Sequence, residues 1–337
     1  LRLRIRSLIE SLKFKTEEQQ SKAHQQFKTT PAFTEQDRHR KILCSHFSEF
    51  HSPFLPPVFK IMGYELENLP PSDAESAKLG LKYANNEVCY PATLVVGDCI
   101  RAIESGRYKK EEICVAITRT GGQCRATNYI ALIKKALVAA GYGDIPVISI
   151  SIMNTINSQP GFTPDVKKIA LITLYALYYG DALSKMYYAA AVREKELGSA
   201  AKLKEKYLKK GVEAVYEKNA KKLLQYLKEA ALAFDEIVEE KNVPRIGIVG
   251  EIFIKYNSFG NQHVVDWLVS EGIEPVIPSI IEFFSQYFPN AKFNRRNNLE
   301  KVSIWRRMLN NVLENDFGHV TYTEAIEILE KNNANFD

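Results

Sequence analysis

Two of the five cysteines stand where a thiolate could do chemistry. Cys124 lies in RTGGQCRATNYI, behind a Gly-Gly pair, between an apolar run (ICVAIT) and a helical pattern (NYIALIKKALVAAG). Cys89 lies in NNEVCYPA, where Pro91 suits the first turn of a helix. Each thiol therefore precedes a helix. A helix N-terminus offers unpaired N–H groups and partial positive charge, and both favour thiolate over thiol. Such a thiolate can ligate a metal cluster, attack a substrate carbon or exchange with another thiol. The nucleophile reading is the weaker, because no histidine stands near either cysteine in sequence to act as base.

The other three thiols read as core. Cys44 and Cys114 sit inside continuous apolar runs of the kind that form buried parallel strands, where cysteine acts as a small hydrophobe. Cys99 shares a helix face with Ala92, Val95 and Ile103. There is no C-x-x-C, which argues against zinc-ribbon and ferredoxin frameworks. An odd, widely spaced set of thiols points to a reducing cytoplasm rather than to disulfides.

The elements that must position these residues alternate. KILCSH (41–46) opens a strand. FLPPVFKIMGYELENLP reads as a helix stopped at Gly63, then a second strand. Helices are expected at 73–83, from about Ala92 to Glu104, and at 126–140, with strands at EEICVAIT and IPVISISI. Strands alternating with helices imply a parallel sheet. In such sheets the loops after the carboxyl ends of strands build the sites. From 164 to 243 the pattern becomes purely helical and predicts an insert. Its tyrosines (Tyr175, Tyr178, Tyr179, Tyr187, Tyr188) suit helix packing better than a ligand pocket. PRIGIVGEIFI (244–254) restarts the strand–helix alternation, with a helix at 261–271, a strand at IEPVIPS and more helix to about 331. The boundaries expected are therefore 1–40 for an N-terminal helix and linker, 41–163 for a first α/β domain, 164–243 for the helical insert and 244–337 for a second, truncated α/β domain.

Composition is that of a globular protein, with 45% hydrophobic and 25% charged residues in 337. A net charge of +5, from 45 basic and 40 acidic residues, is too small an excess to argue for nucleic acid. No run of 18 apolar residues suggests a membrane span, and the basic opening LRLRIRSLIESLKFK reads as a solvated linker helix rather than a membrane anchor. The start at Leu1 suggests a piece of something longer.

The stretches YELENLPPSDAESAKLGLKYANNEVCYPATLVVGDCI, TRTGGQCRATNYIALIKKALVAAGY, PVISIS and PRIGIVGEIFIKYN resemble the carboxyl-terminal part of 2-hydroxyacyl-CoA dehydratase activase-related proteins. These are similar to the iron–sulfur subunits of 2-hydroxyglutaryl-CoA dehydratase and benzoyl-CoA reductase. The resemblance spans roughly 40–290. It implies an α/β fold of two flavodoxin-like (Rossmann-like) parallel-sheet regions joined by a helical insert. It implies a [4Fe-4S] cluster in the full-length protein, with Cys89 and Cys124 as ligands. Gly121, Gly122, Arg125, Asn128 and Glu251 would lie around the cluster or an acyl-CoA substrate, and Arg125 would neutralise cluster or CoA phosphate charge. The implied function is an electron-accepting module, fed by an ATP-dependent activator domain or subunit, in a homo-oligomer. No phosphate-binding loop of the G-x-x-x-x-G-K-[ST] kind is present, so no ATPase activity is expected of this stretch. The alternative is a non-catalytic α/β binding or regulatory module that docks a partner. His319, in FGHVTY, reads as structural rather than as a ligand.

Overall fold

The computed structural model describes residues 29–84, 88–118, 128–150 and 159–285. Strands β1 (Lys41–Cys44), β2 (Leu66–Asn68), β3 (Ile113–Thr118) and β4 (Val147–Ile150) form one sheet in the order β2-β1-β3-β4. All three pairings are parallel, with Ile42 opposite both Leu66 and Cys114, and Val115 opposite Val147. The chain is an α/β protein, as its alternating pattern predicts. The continuous apolar runs follow from burial on both faces. Leu43, Ile113, Val115, Ile117 and Val147 meet one apolar cluster. Their neighbours Ile42, Cys44, Cys114, Ala116 and Ile148 meet the other, with Phe33, Phe59, Tyr64 and Phe162.

Helix α1 (Leu55–Ile61) ends where Gly63 takes φ +84°, a left-handed turn that glycine adopts without strain. Helix α2 (Ala74–Tyr83) starts at Asp73, whose carboxylate accepts the Ser76 N–H at 2.9 Å. Helix α3 (Tyr90–Glu104) follows Cys89, two residues earlier than its apolar period suggests, because Pro91 fits the first turn. Helices α2 and α3 touch backbone to backbone: a Cβ on Gly80 would lie 2.0 Å from the Thr93 carbonyl oxygen. A Cβ on Gly97 would lie 1.7 Å from the Ser76 carbonyl oxygen. Helix α4 (Tyr129–Ala139) packs on the same face of the sheet as α3, through Ile133, Ala136 and Leu137.

The helical stretch is a set of three packed helices, α5 (Val166–Ala191), α6 (Ser199–Tyr216) and α7 (Ala220–Glu236), whose core also takes in Phe50, Phe54 and Val58. Tyr179 is fully buried and donates to the Tyr207 carbonyl at 2.7 Å, which is the packing role expected of it. Tyr187 and Tyr188 pack against Phe50, while Tyr178 is exposed.

Beyond the insert come β5 (Arg245–Gly247), α8 (Ile252–Tyr256), α9 (Val264–Ser270) and β6 (Glu274–Val276). β5 and β6 form a two-stranded sheet, and β5 is exposed along its whole length. Helix α9 begins three residues later than its apolar pattern predicts, because Gln262 and His263 take φ +57° and +56°, which breaks the helix. The chain divides into two compact units after Pro275, and the described part of the second carries helix α10 (Ile280–Ser285). Among the described residues no helix is long and apolar enough to cross a membrane.

Candidate functional site at the carboxyl edge of the sheet

After β1 the chain runs towards α1 and β2, which pairs on one side of β1. It then returns through α2 and α3 to β3, on the other side. The β1/β3 boundary is therefore a topological switch point, where parallel sheets open a crevice at the carboxyl ends of their strands. Ser45, His46 and Phe47 follow β1 there, and Ser72 lies on the segment that follows β2.

Cys89 is the N-cap of α3. It is a half-buried free thiol, with Sγ 3.4 Å from the Tyr129 hydroxyl in the first turn of α4. That contact brings the N-termini of α3 and α4 together. Neither N-cap side chain, Cys89 or Asn128, bonds to its own helix, and neither first turn holds an acidic residue. Elsewhere Asp73 and Glu251 fill that role: Glu251 Oε2 accepts the Ile254 N–H at 3.1 Å and caps α8. Glu251 is thus a helix cap by geometry, and Asn128 is exposed at the start of α4. Cys124, Gly121, Gly122 and Arg125 lie outside the described residues, as does His319.

The remaining thiols are core, as their apolar settings predict. Cys44, Cys99 and Cys114 are 5%, 1% and 0% exposed, too little for any to meet a ligand. Burial pushes Cys44 and Cys114 up to about 12, and Cys99 further above the usual thiol range.

At the same edge of the sheet lies a buried polar chain that the motifs did not reveal. Asn257, after α8, donates to the Ser72 hydroxyl at 3.2 Å and to the His46 carbonyl at 3.4 Å. Its own amide oxygen accepts the Gly260 N–H at 2.7 Å. Ser72 donates in turn to Asp98 Oδ2 at 2.9 Å. Asp98 is fully buried, and its Oδ1 accepts no well-formed bond among the described residues. Burial pushes its carboxyl up to about 6, against the opposing pull of the Ser76 and Ser72 hydroxyls and of Arg101. Burial also lowers His46 from its ordinary value, with Glu49 opposing. One sequence signal exists for Asp98: it is the single charge in the apolar run YPATLVVGDCI.

A second buried chain joins the sheet to the helical insert. Ser48 Oγ lies 3.0 Å from His51 Nδ1, and His51 Nε2 lies 3.1 Å from Asp181 Oδ1 on α5. The residue types match a nucleophile relay, but Ser48 is 2% exposed and accepts the Phe50 N–H, so no substrate reaches it. The chain is a structural tie.

Comparison with known proteins overturns the dehydratase resemblance. No family model matches the chain. A stretch of 60 residues is 38% identical to an asparagine–tRNA ligase of Acetivibrio thermocellus, covering 18% of this chain and 10% of that protein. A stretch of 75 residues is 31% identical to an asparagine–tRNA ligase of Clostridium kluyveri, covering 22% of this chain and 13% of that protein. The chain thus spans about a tenth of the length of the curated relatives it matches. No solved structure matches. The function as an iron–sulfur, electron-accepting module of a dehydratase or reductase is withdrawn with the resemblance. Among the described residues, no group of three or more His, Cys, Asp or Glu side chains could hold a metal ion. The physical reason for the misreading is that the motifs carrying the resemblance are also fold grammar. In NNEVCYPA, the cysteine is an N-cap, the proline fits a first turn, and an apolar helix follows.

Proposed function

We propose that the chain is a small-ligand-binding α/β module whose site is the crevice at the β1/β3 switch point, and that its ligand carries a phosphate or carboxylate. One observation carries this reading. The N-termini of α3 and α4 meet there through Cys89 and Tyr129, with neither capped by its own N-cap side chain nor occupied by an acidic residue. Two helix ends with no acidic residue in either first turn favour an anion from outside. Cys89, half-buried at that edge, would lie beside the anion. The four described cysteines are free thiols, in keeping with a reducing compartment, and we place the protein in the cytoplasm.

A second reading follows from the local likeness to asparagine–tRNA ligases: a role beside tRNA aminoacylation, with asparagine, a nucleotide or tRNA as ligand. Titration calorimetry with ATP, asparagine and bulk tRNA separates the two. Binding of ATP or asparagine that the Cys89→Ala variant weakens supports a crevice ligand. Binding of tRNA alone, untouched by that variant, supports the second reading. No binding to any of the three, nor to inorganic phosphate at millimolar concentration, removes the first.

A further inference from the structure

We infer that the cavity between α5, the start of α6 and α9 is a second ligand site, and that it takes an organic ammonium ion with a compact apolar body.

The cavity measures about 400 Å³, within the range of small-molecule sites. Its walls are largely apolar. The Tyr187 ring and Ala191 come from the end of α5, Ala201 from the first turn of α6, and Val269 from the last turn of α9. Leu197, on the turn between α5 and α6, also lines it and is 97% exposed. An apolar body seated there covers a large side chain that water now surrounds.

The charges around the cavity select the sign of its occupant. The N-terminus of α6 would suit an anion, but a protein carboxylate already fills it. Glu194 Oε1 accepts the Gly198 N–H at 2.7 Å, and its Oε2 accepts the Ala200 N–H at 2.8 Å and the Ser199 hydroxyl at 3.2 Å. Helices α5 and α9 present their carboxyl ends instead, where the partial charge is negative. Asp266 adds a full negative charge to the lining. Its neighbour His263 lies 3.3 Å away, but both side chains are 62% exposed, so water competes for that bond. Burial raises the proton affinity of the Tyr187 hydroxyl, Lys204 opposes, and Glu49, Asp266 and Glu194 add to the rise, so these carboxylates bear on that wall.

The cations nearby are engaged elsewhere. Lys204 lies over the Tyr187 ring at 4.8 Å and pairs with Glu49 at 3.0 Å. Arg193, just past α5, donates to the Ala189 carbonyl and pairs with Glu274 at 2.8 Å. Among the described residues no lysine or arginine lines the cavity. An anion entering it meets carboxylates and helix carboxyl ends. An ammonium ion meets the same groups as partners, and its apolar body meets the alanines, Val269 and Leu197.

This site is separate from the crevice at the sheet edge and calls for the opposite charge, so the two readings stand or fall apart. The test is chemical-shift mapping on the whole chain with three matched probes: 2-phenylethylammonium, neutral 2-phenylethanol and anionic 3-phenylpropanoate. The ammonium is expected to give saturable changes at the Gly198, Ala201, Val269 and Ser270 amides at millimolar concentration. The alcohol is expected to bind there more weakly, and the carboxylate not at all. Asp266→Asn, at an exposed position, is expected to weaken the ammonium about fivefold and to leave the alcohol unchanged. Ala201→Leu is expected to fill the cavity and abolish binding of both. Absence of saturable changes at these amides, equal binding of all three probes, or ammonium binding that Asp266→Asn leaves intact would each overturn the inference.

Discussion

Replacing Gly97 with alanine is expected to destabilise the protein, although helix propensity alone predicts the reverse. An alanine in a helix interior is worth about 1 kcal/mol over glycine when nothing else touches it. At position 97 the added methyl would lie 1.7 Å from the Ser76 carbonyl oxygen, 2.6 Å from its carbon and 2.9 Å from the Gly80 nitrogen. Ordinary contact begins near 3.4 Å, so α3 must move away from α2 by roughly 1.7 Å at the crossing. Neither partner can rotate clear, because all are backbone atoms. Nearly every residue of α3 is buried, including Leu94, Val96 and Ile100, so the movement opens packing along its length. Overpacking of this kind costs about 3 kcal/mol or more, leaving a net loss of about 2 kcal/mol after the propensity gain. Urea denaturation of both proteins, fitted with a common slope, gives the difference. A stabilisation of about 1 kcal/mol would refute the close crossing, and with it the placement of Cys89 that the crossing fixes.

Three further outcomes follow from buried groups. Because the folded Asp98 carboxyl sits at about 6, above its ordinary 3.8, the stability it contributes is greatest below about pH 4. That contribution falls as pH rises to about 6 and is level above. Asp98→Asn should remove up to about 3 kcal/mol of that fall, read as melting temperature against pH, and an unchanged profile would refute it. Tyr179→Phe should cost about 1 kcal/mol, since it removes the buried hydroxyl's bond to a Tyr207 carbonyl that stays within its own helix, as chemical denaturation would record. Among the four described cysteines, Cys89 should alkylate in the native state well before Cys44, Cys99 and Cys114, followed by peptide mass mapping. Equal rates would contradict the burial assigned to the other three.

The sheet was legible because parallel strands buried on both faces leave continuous apolar runs, and KILC, ICVAIT and the VISI stretch are such runs. The core thiols were legible for the same reason. Gly63 and Pro91 marked a helix end and a helix start by their backbone demands. What escaped was set by contacts distant in sequence. Asn257 reaches Ser72 across 185 residues, and His51 reaches Asp181 across 130, spacings that no local pattern carries. Asp98 and Asp181 were each a lone acid in an apolar helix, a signal that marks a buried partner without naming it. The functional reading failed at a different step, because short words around a cysteine serve helix capping as readily as ligation.

The central claim is the place of the ligand site, and chemical-shift mapping with ATP and, separately, inorganic phosphate tests it most directly. Saturable changes are expected at the backbone amides of Tyr90, Asn128, Tyr129 and Phe47, at the ends of α3 and α4 and the loop after β1. Their loss in Cys89→Ala, with the fold intact, would complete the case. Saturable changes confined to the helices of the insert, or none at these amides, would contradict the account.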